Sequence, residues 1–94
     1  MPNARAKFAL GQIVATPGAL DALRETGEDP WKFLARHATG DWGKLDEHDR
    51  AENEQSLVHG FRLLSAYQLE DETTIWIITE ADRSATTILL PSEY

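Results

Sequence analysis

Four side chains in this chain have the chemistry to cleave a phosphodiester without a metal: His37, Arg62, Glu80 and Arg83. In such a site a glutamate takes the 2′-hydroxyl proton and a histidine protonates the leaving oxygen. An arginine stabilises the charged phosphorane between them. Glu80 and Arg83 lie in the densest polar stretch, with Thr79, Asp82, Ser84, Thr86 and Thr87. Arg62 and Tyr67, on the preceding strand, can reach that stretch across a sheet. The competing explanation for the same residues is a charged hairpin end, with Glu80 or Asp82 paired to Arg83 and threonines bonding across strands.

Other chemistries lack their equipment. His37, Asp41, His48 and His59 match no metal-ligand spacing, and a zinc site needs three or four convergent groups. The stretch from Asp41 to Asp49 is acidic but lacks the central glycine and alternating oxygen ligands of a calcium loop. Gly40-Asp41-Trp42-Gly43 has neither the length nor the lysine of a phosphate cradle. No metal and no cofactor is expected.

The elements that must position these residues are short. Phe8, Leu10, Ile13 and Val14 mark a strand over Lys7–Ala15, interrupted by Gly11. Thr16 followed by Pro17 is a helix start, because proline fits a first turn whose N–H would have no partner, and Gly27 is its stop. Asp29-Pro30 repeats the device, and Trp31, Leu34, Ala35 and Ala38 follow at helical spacing up to Gly40. A third helix is expected from Glu47 to Val58, capped by Asp46 and closed by Gly60, with Asp49 and Asn53 in line with Leu57 and turned partly inward. From Phe61 onward the residues are β-branched and aromatic: strands over Phe61–Leu69, Thr73–Glu80 and Ala85–Leu90. Their connections of three or four residues require antiparallel neighbours. The fold class expected is α+β, a single domain over 1–94: an N-terminal strand, three short helices, then a three-stranded antiparallel β-meander forming one sheet.

Strand parity adds a consequence. Trp76 and Ile78 face one side of the sheet, Ile75 and Ile77 the other, so both faces are apolar. Three short helices cover one face of such a sheet readily and both with difficulty. An apolar outer face is therefore expected, open to dimerisation or a partner, unless the N-terminal strand or the Trp42 loop wraps over it.

Composition narrows the function. The net charge is −7, with +1 in residues 1–40 and −8 in residues 41–94. Binding a phosphate backbone rests on lysine and arginine, and nine such residues against sixteen acidic ones argue against general nucleic-acid binding. The acidic half suits a protein partner that is itself basic. There is no cysteine, which fits a reducing cytoplasm. Met1–Lys7 leads into no apolar run of signal-peptide length, and no stretch approaches the roughly 20 apolar residues that cross a bilayer.

The chain resembles, over nearly all its length, a family of small proteins carried by bacterial plasmids and integrative elements, labelled plasmid-related. The resemblance rests on Leu10 to Leu20, Arg36-His37, Gly40-Asp41-Trp42-Gly43, Asp49, Asn53, Ser65-Ala66-Tyr67 and the run Trp76 to Pro91. It implies an accessory role on a mobile genetic element and no activity that can be carried over. A weaker similarity is to the barnase-like ribonuclease architecture, in Phe61-Arg62-Leu63-Leu64-Ser65 and Thr79-Glu80-Ala81-Asp82-Arg83. Where that architecture places a histidine in the last turn, this chain has Asp82-Arg83, so His37 would have to be the acid. The reading favoured is a cytoplasmic protein that binds another protein, in defence or counter-defence, through Asp41, Trp42, Tyr67, Trp76 and Asp82. The ribonuclease is the alternative, and nucleic acid is a partner only under it.

Overall fold

Local rules set the three helices. In the computed structural model, which describes residues 5–94, helix α1 spans Pro17–Thr26, α2 Pro30–Ala38 and α3 Glu47–His59. The Thr16 hydroxyl accepts from the Ala19 amide, Asp29 from Trp31 and Asp46 from Asp49, so each helix has the predicted cap. Gly27 and Gly60 end α1 and α3 in left-handed backbone, while α2 stops at Thr39. The expectation about a leader segment over Met1–Ala4 lies outside the described residues.

The sheet has four strands: β1 Gln12–Ala15, β2 Leu63–Gln68, β3 Thr74–Thr79 and β4 Ala85–Leu89. Strands β2, β3 and β4 pair antiparallel, and the order across the sheet is β1-β4-β3-β2. The α+β class therefore holds. The sheet is corrected from a three-stranded meander with a separate N-terminal strand to a four-stranded mixed sheet, because β1 joins β4 in parallel. Residues 16 to 84 supply the long crossover that a parallel pair requires. The first strand is also shorter than Lys7–Ala15. Gly11 has φ +67, and a Cβ there would collide with the backbone of Arg83 and Ser84. The chain thus turns at Gly11, and Phe8 packs instead against the rings of His37 and Trp42.

Register decides the faces. Ile13, Ser65, Tyr67, Ile75, Ile77, Thr86 and Ile88 share the inner face, on which Ala19, Ala22, Leu23, Phe33 and Leu34 of α1 and α2 pack. Helix α3 lies at the free edge of β2 instead. Asn53 there acts as a substitute strand: its Nδ2 donates to the Leu64 carbonyl at 2.6 Å, and its Oδ1 accepts from the Leu64 amide at 3.1 Å. The Trp42–Lys44 loop completes the edge, with Ala66 N–H donating to Trp42 O and Lys44 N–H to Ala66 O. Gly43, at φ +73, is required for this approach, since a Cβ would run into Ala66 O. No helix among the described residues is long and apolar enough to cross a membrane.

Candidate docking face and the buried polar chain

The four residues with cleavage chemistry stand in different surroundings. His37, in the last turn of α2, is fully buried beneath the sheet. Its Nδ1 lies 2.5 Å from Ser65 Oγ and its Nε2 2.9 Å from Thr79 Oγ1. Thr79 Oγ1 is 2.7 Å from Thr86 Oγ1, and Thr86 donates to the Leu10 carbonyl at 2.6 Å. That carbonyl, which can only accept, orients the chain. Thr86 spends its proton on Leu10, Thr79 donates to Thr86, and His37 donates from Nε2 to Thr79. Ser65 then donates to Nδ1. The imidazole is neutral, with both nitrogens satisfied. Burial, assisted by the Arg83 charge, pushes its pKa down to about 4. Such a ring is a structural link between α2, the sheet and the segment before β1.

Arg83 and Arg62 are committed elsewhere. Arg83 adopts φ +62, and its guanidinium donates to Phe61 O at 2.7 Å and Ser56 O at 3.1 Å, clamping the β3–β4 turn to the end of α3. Arg62 lies at the outer face and donates from Nη2 to the Tyr94 hydroxyl at 2.7 Å. Glu80 is exposed, and its backbone N–H and carbonyl hold the turn, paired with Ala85 O and Arg83 N–H. His37 is thus buried with both ring nitrogens bonded, Arg62 is bonded to Tyr94, Arg83 to backbone carbonyls that include Glu80 O at 3.1 Å, and the Glu80 side chain is exposed.

The five candidate binding residues divide in the same way. Trp42 is buried against Phe8 and His37, and its indole N–H donates to Glu54. Tyr67 is buried, donates to Asp41 O at 2.6 Å, and burial raises its hydroxyl to about 12. Asp41 forms an ion pair with Arg36 at 2.7 Å, and that hydrogen bond holds its carboxyl below the usual range. Asp82 accepts from Ser84 N–H at 3.0 Å, and its bonds to Ser84 lower its pKa. These four are fastenings. Trp76 alone among the five stands on the outer face, half-buried, in register with Ala66 and Leu89.

Around Trp76 the outer face carries Leu64, Ala66, Ile78 and Leu89. Ala66, Ile78 and Leu89 are buried there, while Leu64 and Trp76 remain half-exposed. The short turn Pro91–Glu93 carries Tyr94 back over the sheet, its ring edge-on to Trp76 at 5.7 Å between centroids. Beside the face, a groove of about 690 Å³ runs between α3 and Arg62 and Leu64, walled by Asp49, Glu52 and Asn53. Phe61, 58% exposed, also lines it. A second cavity of about 230 Å³ lies between Arg62, Trp76, Ile78 and Tyr94. Arg62 and Leu64 line both, so the two are neighbours on one surface. His48, Asp49 and Glu52 on α3 bring three ligand atoms within 4.8 Å of one another, but His48 already pairs with Glu52 at 2.8 Å and both are exposed. Sequence reasoning found Trp76 and Ile78 by parity and missed Tyr94, which follows a proline and carries no periodicity.

Comparison of the chain with protein-family models, with curated proteins and with solved structures gives no match.

Proposed function

We propose that this chain works by binding another protein, and that it docks through the outer sheet face and the groove beside α3. The observation that carries the reading is the half-covered pair Leu64 and Trp76, over a floor that includes buried Ile78, beside an acidic helical wall. A fold of this size has little reason to leave an aromatic and an aliphatic side chain half-covered side by side unless something packs on them. The wall sets the partner's chemistry. Helix α3 carries Glu47, Asp49, Glu52 and Glu54 against Arg50 alone, in a half of the chain with net charge −8. The matching surface is an apolar ridge flanked by lysine or arginine. The setting, an accessory protein of a mobile genetic element acting in defence or counter-defence, rests on the resemblance of Leu10–Leu20 and Trp76–Pro91 to plasmid-borne proteins.

The test is affinity capture from a bacterial lysate with chemical cross-linking, comparing the wild-type chain with Ala51→Arg/Glu52→Lys. Both positions are exposed and line the groove, so the substitutions leave the fold intact. A specific partner, cross-linked to α3 or the outer face and lost from the variant by about tenfold or more, is the expected result. Equal capture by both chains excludes this surface.

A further inference from the structure

Tyr94 shows what the outer face accepts. It is the most exposed aromatic ring of the molecule's surface strip, at 68%, yet it makes two directed contacts. Its ring meets Trp76 edge-on, and its hydroxyl oxygen accepts from Arg62 Nη2 at 2.7 Å, with the guanidinium carbon 5.7 Å from the ring centroid. Trp76 thus supplies an aromatic wall and Arg62 a donor beyond it, a pair that reads a phenol by ring and hydroxyl together. The cavity of about 230 Å³ that remains between Arg62, Trp76 and Ile78 is space the resident ring does not fill. The segment holding Tyr94 is fixed one residue earlier. Glu93 accepts from Thr16 Oγ1 at 2.5 Å, Gly18 N–H at 3.0 Å and Leu90 N–H at 2.9 Å, so its carboxylate sits at the start of α1. Tyr94 is therefore a side chain that can swing away without the segment detaching.

We infer that the Arg62–Trp76 slot is a recognition pocket for a tyrosine side chain of the partner, flanked there by basic residues, and that Tyr94 is its resident occupant, displaced on binding. This rests on the docking reading above and adds the residue type recognised. The aromatic anchor enters the slot, and its basic flanks lie along Asp49 and Glu52, since Arg62 and Leu64 join slot and groove. Competition with Tyr94 lowers apparent affinity by the fraction of time the slot is free, so a slot open about a tenth of the time weakens binding about tenfold.

The experiment uses the whole chain with ¹⁵N-labelled tryptophan and follows the three indole N–H signals by NMR. The probes are N-acetyltyrosinamide, N-acetylleucinamide, and blocked Lys-Tyr-Lys and Glu-Tyr-Glu peptides. In Tyr94→Ala the Trp76 signal should move saturably with N-acetyltyrosinamide, at about tenfold lower concentration than in the wild type, and should ignore the leucine analogue. Lys-Tyr-Lys should bind more tightly than Glu-Tyr-Glu. Unmoved Trp42 signals report that the variant keeps its fold, because that indole is buried on Glu54. No response in Tyr94→Ala, an equal response to leucine, or equal affinity with and without Tyr94 overturns the inference. None of those outcomes touches the capture experiment, which can still find a partner on α3.

Discussion

At the scale of single residues, the fate of His37 turns on where its neighbours' protons must go. A histidine at the end of a helix in an acidic chain has the look of a titrating group, and its sequence position allows catalysis. The Leu10 carbonyl at the far end of the Ser65–His37–Thr79–Thr86 chain fixes a proton on Nε2, and burial keeps the ring from taking a second. The pH dependence follows. The folded pKa is about 4 against an ordinary 6.5, so between those values the unfolded chain binds the extra proton. Stability is full above about pH 6.5 and falls as pH drops toward 4, by about 3 kcal/mol in all. Urea denaturation at a series of pH values should show that loss in the wild type. In His37→Phe the loss should begin only near the ordinary carboxylate range, where Asp41 and the other depressed carboxyls take up protons. Should that variant not fold, NMR of the wild-type ring answers the same question: the neutral form should persist to about pH 5.

At the scale of elements, the decisive one is α3, whose sequence is too polar to read as a packing helix. It buries Asn53 and Ser56 rather than an apolar stripe, because its task is to occupy the hydrogen-bonding edge of β2. An exposed sheet edge invites pairing with other chains, and Asn53 blocks it with one donor and one acceptor. Asn53→Leu leaves the Leu64 N–H and carbonyl without partners, at a cost of about 2–3 kcal/mol. It should also open the edge. Denaturant titration should show the lower midpoint, and light scattering should show association that rises with concentration. A variant as stable and monodisperse as the wild type would remove this role from α3. The placement of Asp49 and Asn53 in line with Leu57 was visible in the sequence. What Asn53 grips was not, since Leu64 is eleven residues further along the chain.

At the scale of the whole molecule, charge and topology act together. The meander, α3 and the Glu93 segment all belong to the half of the chain with net charge −8, and the proposed docking face lies among them. Two copies meeting face to face would oppose two acidic helices, which disfavours self-association on this surface. The chain should sediment as a monomer through the micromolar range at low salt, and a stable dimer under those conditions would redirect the docking reading toward a second copy. Topology accounts for the open face. With β1 added at the edge beside β4, helices α1 and α2 are fully used on the inner face and α3 on the far edge. Among the described residues, Tyr94 sets its ring edge-on against Trp76.

The amino-acid order alone determined the helix starts at Thr16, Asp29 and Asp46, the three late strands, and the parity that sets Trp76 and Ile78 opposite Ile75 and Ile77. These depend on capping, proline and side-chain alternation, which act within a few residues. Tertiary structure alone decided that β1 runs parallel to β4, that Trp42 and Tyr67 are buried fastenings, and that His37 is wired to Leu10. Each of those joins residues from 12 to 76 positions apart. Contacts at such separation depend on which faces the packed elements offer one another, and local pattern carries no record of that choice.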